Sequence, residues 1–255
     1  MRLRRILLVA AALTATVATN ACKPVFNPGT YTDMNALYNA AMVEYNAKRY
    51  DNAAKAFERL SSELPARDSR LPTVLFHLGK SQDKTGERLL AAKSYSRIHE
   101  QFPEDTLADD GIFYSGMAYE AMWRKPVLDA QYGDDALTQF QTLQALYPNS
   151  PLSERGAREL AKLDEWFATK DYETGRHYLK RKAYDSAIIY FKDVIRLHPS
   201  APKTREAYLR LHEAYLAINY KDDARDTCEA ARKTYPTDRE VIRQCGAAAS
   251  PVVSQ

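Results

Sequence analysis

A small-and-large pattern recurs five times along the chain. Ala53, Phe57 and Leu60 stand at spacing i, i+4, i+7, and the spacing returns at Ala91-Tyr95-Ile98, Ala136-Phe140-Leu143, Ala187-Phe191-Val194 and Ala224-Cys228-Ala231. It keeps all three side chains on one face of an α-helix. A proline follows the third member by five residues each time, at Pro65, Pro103, Pro148, Pro199 and Pro236. Proline cannot continue a helix and pushes the residue before it out of the helical region, so each pattern marks a helix that stops just short of its proline. The intervals between prolines are 38, 45, 51 and 37, the scale of a helical-repeat array.

An earlier helix precedes each of these. Leu75 and Leu78-Gly79 come before Ala91, Gly116 with Tyr119 before Ala136, Gly175 with Tyr178 before Ala187, and Leu211 with Tyr215 before Ala224. Ala40, Ala41 and Tyr45 stand in for them in the first and loosest unit. Two helices approach to about 8–10 Å only where side chains at the crossing are short, which is the use of the small residue. The expectation is an all-α tetratricopeptide-repeat solenoid of about five helical hairpins plus a C-terminal capping helix.

Two irregularities modify this frame. The step from Tyr119 to Ala136 is nearly twice the equivalent step from Tyr178 to Ala187 or from Tyr215 to Ala224, and the excess falls in "WRKPVLDAQ". Trp123 and Arg124 in that insertion are candidates for partner contact. Between Pro151 and Tyr184 no proline interrupts the chain, which predicts one long helix, or two nearly abutting, joining repeats one to three with four and five. After Pro236, "TDREVIRQC" predicts a cap begun by Thr237 or Asp238. A fold-back about the Pro236 turn brings Cys228 opposite Cys245 and predicts a disulfide; the alternative is one core cysteine and one free thiol.

The N-terminus carries no acid up to Ala21 but has Arg2, Arg4 and Arg5 before the apolar run Ile6 to Val17. That run is too short to span a bilayer and suits a secretory signal. "ATNAC" resembles a lipoprotein box, with Cys22 the acylated first mature residue. Thr19 and Asn20 depart from the box, and ordinary cleavage after Ala21 is the alternative. Without the three arginines the chain holds 33 basic and 33 acidic residues, which argues against a nucleic-acid footprint. The basic run "RHYLKRKAY" from Arg176 therefore reads as the hairpin turn of repeat four. The expected organisation is a signal over 1–21, a lipid-anchored linker over 22–32, and repeats one to three over 33–150. The long helix, repeats four and five and the cap occupy 151–245, and a disordered tail 246–255.

Counting in the repeat frame places Tyr38, Phe76, Phe113, Tyr172 and Leu209 at one groove-facing register of the first helices, with Lys80, Arg176, Lys84 and Lys180 one and two turns on. An aromatic ladder beside cations suits an extended peptide with bulky side chains and a carboxylate, with Tyr38, Phe76 and Phe113 the favoured positions; the alternative is that these aromatics partly belong to the interhelix core. Tyr45 joins this candidate groove from repeat one. The five histidines are scattered and no phosphate loop, nucleophile elbow or paired-cysteine metal motif is found, so neither enzyme, cofactor nor metal is expected. The pairs Asp109-Asp110, Asp134-Asp135 and Asp222-Asp223 fall at expected helix starts, where acidic residues complement the helix dipole.

The block "DYETGRHYLKRKAYDSAIIYFKDVIRLHP", its flank "ALYPNSPLSERGARELAKLDEWFATK", the secretory cysteine and the repeats together resemble the BamD family, also called ComL or YfiO. The resemblance implies a lipoprotein anchored through Cys22 on the periplasmic face of the outer membrane, without enzymatic activity. It implies contact with the POTRA region of the BamA barrel through the C-terminal repeats, including Arg176, Lys180, Tyr190 and Arg205. The N-terminal repeats, with Tyr38, Phe76, Lys80 and Lys84, would receive C-terminal signals of unfolded outer-membrane proteins. Further lipoproteins of the assembly complex are also implied partners, and nucleic acid is not. A different periplasmic repeat adaptor, serving envelope or peptidoglycan and division machinery, would share the fold and the export signal.

Overall fold

The computed structural model describes residues 26–246. The signal, Cys22 with the first part of the linker, and the tail after Gly246 lie outside them. Eleven α-helices follow a short 3-10 turn, Pro28–Thr30: α1 (Met34–Asn46), α2 (Tyr50–Glu63), α3 (Leu71–Thr85), α4 (Arg88–Gln101), α5 (Ala108–Glu120), α6 (Gln131–Leu146), α7 (Pro151–Lys180), α8 (Tyr184–Leu197), α9 (Lys203–Ala217), α10 (Lys221–Thr234) and α11 (Arg239–Cys245). Each packs on its sequence neighbours, and first helices of successive hairpins also meet, α3 with α5, α5 with α7 and α7 with α9. This is a tetratricopeptide-repeat solenoid, with five helical hairpins and a cap.

The recurring pattern accounts for the second helices. All fifteen of its members, from Ala53 to Ala231, are at most 4% exposed. The five helices end at Glu63, Gln101, Leu146, Leu197 and Thr234, each two residues before its proline. The crossing residues are as tight as the frame requires. A Cβ on Gly79, Gly116 or Gly175 would come within 2.7–2.8 Å of the Tyr95, Phe140 or Phe191 ring. The step from small to large residue is the same for Ala41 to Phe57, Gly79 to Tyr95 and Gly175 to Phe191, and the insertion lengthens it for Gly116 to Phe140.

The hairpin turns share a backbone solution. Lys48, Gly86, Lys182 and Asn219, nine residues before Phe57, Tyr95, Phe191 and Cys228 respectively, adopt left-handed φ of 58°, 88°, 61° and 62°. Only glycine does so at no steric cost. Lys182 of the basic run is thus a turn residue. Repeat three replaces this turn with its inserted loop.

The segment after Pro151 is one unbroken helix. At 30 residues α7 is about 45 Å long. Ser150 caps it by accepting from the Leu152 N–H at 3.0 Å, and Pro151 occupies the first turn, where its missing N–H costs nothing. Its first half packs through Gly156 and Leu163 against repeat three. Its second half packs through Tyr172 and Gly175 on α8 and α9. Asp238, the second of the two expected caps, starts α11 by accepting from the Glu240 and Val241 N–H groups at 3.0 Å.

Trp123 is not a contact residue on an exposed loop. It is 2% exposed, wedged where a Cβ on Gly133 would overlap its ring, with Phe167 and Trp166 of α7 at 4.7 and 5.4 Å between ring centroids. Burying so large an apolar ring system is favourable, which draws the inserted loop onto the core. The insertion therefore anchors repeat three to the long helix, and Lys170 adds a hydrogen bond to the Leu128 carbonyl at 2.8 Å. Arg124 stays exposed, lining a cleft of about 550 Å³ with Leu89, Leu90 and Tyr132.

Candidate functional site: the aromatic groove

The first helices carry the expected register, but neighbours cover it unevenly. Tyr38 and Phe76 are half-buried, whereas Phe113, Tyr172 and Leu209 are buried at 1%, 2% and 5%. Phe113, expected on the groove, is therefore core. The guanidinium of Arg155, from the first turns of α7, lies 4.5 Å over its ring. Tyr172 is covered in the same way by Lys203 of α9 at 4.9 Å, and Leu209 packs with Val241 under the cap. Tyr45 belongs mainly to the interhelix contact, its ring edge-on to His77 at 4.8 Å and to Tyr50 at 5.7 Å.

An aromatic floor remains between α3 and α5. Phe76, Tyr95 and Tyr114 form a closed triangle of rings with centroids 5.7–5.9 Å apart. Lys80 sits above it, 4.3 Å from the Phe76 centroid and 5.4 Å from that of Tyr114. Attraction between an ammonium and two ring faces is worth about 0.5–1 kcal/mol per contact at an exposed site and holds the lysine in place. Beside the triangle lies a concavity of about 320 Å³ lined by Tyr95, Phe113, Tyr114 and Met117, with Arg88, Arg155 and Asp83 at its rim. Asp110 lies close to this group. Burial, and then the neighbouring Asp109 charge, push its carboxyl above the usual range, and Lys80 and Arg155 offset this only in part. The expected Lys84 is exposed one turn beyond Lys80.

Tyr114 and Arg155 were missed by the repeat frame. Tyr114 is one residue off the counted register, and Arg155 arrives from the first helix of the following unit. Helical phase alone would put Tyr114 on a flank; only the neighbouring Phe76 ring makes it floor.

The residues expected on the second face occupy separate local contacts. Arg176 pairs with Glu173 at 3.2 Å on α7, and Lys180 is exposed at its end. Tyr190 stacks on Tyr178 with centroids 5.6 Å apart and planes 11° from parallel. Arg205 reaches the cap, pairing with Asp238 at 3.2 Å. A wider cleft of about 680 Å³ opens between α8, α9 and α10, floored by Ile195, Tyr208, Leu211 and Tyr215, with Lys192 and Arg196 on its edge. Among the described residues no helix is long and apolar enough to cross a membrane.

A family model described as "YfiO: Outer membrane lipoprotein" matches residues 31–230. The chain is similar to the outer membrane protein assembly factor BamD of Neisseria gonorrhoeae, 26% identical over 214 residues that cover 78% of each chain. It is also similar to the protein of that name from Pasteurella multocida, 24% identical over 75% of this chain and 77% of the relative. Among solved structures, a thermophilic TPR protein of Thermus thermophilus aligns over 84% of this chain and 97% of its own, with 22% identity and a TM-score of 0.36.

Proposed function

The chain belongs to the YfiO family of outer membrane lipoproteins, and from that premise we propose that it is a non-enzymatic scaffold of the outer-membrane β-barrel assembly machinery. Its relatives carry the name of outer membrane protein assembly factor, and the family match is the observation that carries the reading. Anchoring through a lipid on Cys22, at the periplasmic face, belongs to the same proposal.

The groove between α3 and α5 then receives the C-terminal signal of an unfolded barrel protein. Three properties support this. Phe76 and Tyr114, the half-buried rings of the floor, offer themselves to a terminal aromatic residue, with the buried Tyr95 beneath them. Lys80, Arg88 and Arg155 can meet its carboxylate. The floor rests on a buried core, so little side-chain entropy is lost on binding. The POTRA region of a BamA-like barrel protein is assigned to α7–α11, with Arg176, Lys180, Tyr190 and Arg205 as contacts, and other lipoproteins of the complex remain further partners.

A detergent extract of native membranes, passed over the tagged protein, tests the assignment. Retention of a POTRA-bearing barrel protein is expected. Retention of cell-wall or division proteins without that barrel would overturn it in favour of a different envelope adaptor. For the groove, a peptide ending in an aromatic residue with a free carboxylate should bind the chain from residue 23 onward. Phe76→Ala or Tyr114→Ala should weaken that binding by roughly tenfold, the effect of losing one well-packed aromatic contact. Equal binding of a scrambled peptide would sink the groove assignment.

A further inference from the structure

The last repeat inverts the pattern of the other four. Where repeats one to four place Ala41, Gly79, Gly116 and Gly175 against Phe57, Tyr95, Phe140 and Phe191, repeat five places His212 against Cys228. The large residue has moved to the first helix and the small one to the second. The structure joins Cys228 to Cys245 of α11, with Cα atoms 5.2 Å apart. His212 Nδ1 lies 3.0 Å from the Ala224 carbonyl and 3.4 Å from the Cys228 sulfur. A carbonyl oxygen can only accept, so Nδ1 carries the proton and faces both acceptors. The three side chains bring their ligating atoms within 4.8 Å of one another, the one His/Cys cluster of this kind among the described residues.

The two sulfurs are unequal. Cys228 is 4% exposed in the core between α9 and α10, whereas Cys245 is only partly buried in the final turn of α11. Arg232 donates to the Cys245 carbonyl and ties the end of α11 to α10. Hydrogen-bond donors and cations favour thiolate over thiol, and a better-stabilised thiolate is the better leaving group.

We propose that Cys228–Cys245 is a thiol–disulfide exchange site for an extracytoplasmic dithiol, with Cys245 the attacked sulfur and Cys228 the leaving group held by His212. A thiolate of the donor attacks Cys245 Sγ; a new S–S bond forms, the Cys228–Cys245 bond breaks, and its electron pair stays on Cys228 Sγ. The Nδ1–H of His212 turns from the Ala224 carbonyl towards this stronger acceptor. The second thiol of the donor, losing its proton to water, displaces Cys245 from the mixed disulfide. The donor departs as a disulfide, and both cysteines take up protons from water, a balanced transfer of two electrons and two protons. Run in reverse, the same steps let an oxidised partner close the bond.

The test uses the full-length chain, with glutathione to trap the mixed disulfide and dithiothreitol to time complete reduction. Mass mapping after acid quench should place glutathione on Cys245. His212→Leu should slow reduction about tenfold, the share expected of a hydrogen bond to a developing charge. His212→Asn, whose amide can donate from nearly the same place, should stay within about threefold of the native rate. Adducts on Cys228, or on both sulfurs equally, would overturn the proposal, as would a His212→Leu rate equal to the native one. If His212→Leu loses its helical circular dichroism, the adduct map of the native chain and the His212→Asn rate decide.

Discussion

Replacing Gly79 by alanine tests how far the groove floor is built into the core. At an open mid-helix site this exchange stabilises by about 1 kcal/mol, because alanine has less backbone freedom to lose. Gly79 is not open. An added Cβ would lie 2.7, 2.8 and 2.9 Å from Cε1, Cδ1 and Cζ of Tyr95, about 1 Å inside the ~3.5–4.0 Å contact distance of carbon atoms. The ring cannot simply slide away. It is 3% exposed and is held by Phe76 and Tyr114, with centroids at 5.9 and 5.7 Å. Overpacking of this kind costs about 1–3 kcal/mol, so it cancels the propensity gain and leaves a net loss of up to about 2 kcal/mol. Urea denaturation of the chain from residue 23, followed by circular dichroism, measures it. In a Tyr95→Ala background the obstacle is gone and Gly79→Ala should instead gain up to about 1 kcal/mol. A higher urea midpoint for Gly79→Ala in the native background, or equal shifts in both, would refute the reasoning. Because Tyr95 also lines the groove, the single variant should lose affinity for an aromatic-ended peptide as well.

Three further outcomes are expected. Lys182→Gly should stabilise by about 0.5–1 kcal/mol, since lysine is held at a φ of 61° that glycine adopts freely; a lower thermal midpoint would contradict that account of the turn. Asp68 accepts from the guanidinium and backbone N–H of Arg70, which hold its carboxyl at about 2, down from 3.8. A depressed folded value means the unfolded chain binds the proton first. Its contribution is therefore full above about pH 4 and lost as pH falls towards about 2. Asp68→Asn should flatten that part of the stability profile, and urea midpoints compared between variant and native chain across this range decide it. Removing the disulfide by Cys228→Ala with Cys245→Ala frees a closure of 17 residues and should cost about 3 kcal/mol. In a solenoid, where each unit contacts only its neighbours, that loss should show as faster amide exchange in α9–α11 with α1–α4 unchanged; uniform loss along the chain would contradict it.

The second helices were legible because their signal is local and repeated. A buried face needs only its own i, i+4, i+7 spacing, and the proline that ends it is two residues away. The long helix was legible for the same reason, although its continuity through 30 residues was one of two readings. The groove was only half legible, because exposure there is decided by residues from the next repeat. Phe76 and Phe113 hold the same register, three residues before Gly79 and Gly116. One is half-buried and the other buried, because α7 carries Arg155 over Phe113. Trp123 misled for the same reason: an inserted tryptophan reads as a contact residue until Gly133, Trp166 and Phe167 supply its slot.

Repeat five shows what the frame conserves. Reading positions singly, His212 breaks the rule for a small residue and Cys228 the rule for a large one. Taken as a pair at the same separation as Gly79 and Tyr95, they keep one large and one small partner at the crossing, which close packing requires. The same pairwise reading explains the groove. Tyr95 fills the space that Gly79 leaves, and Phe76 and Tyr114 rest on Tyr95. The floor offered to a peptide is thus the outer surface of the interhelix core, already ordered before anything binds. Affinity gained there need not be spent on freezing mobile side chains, so changes that loosen the crossing should weaken binding even when they touch no residue that a peptide reaches.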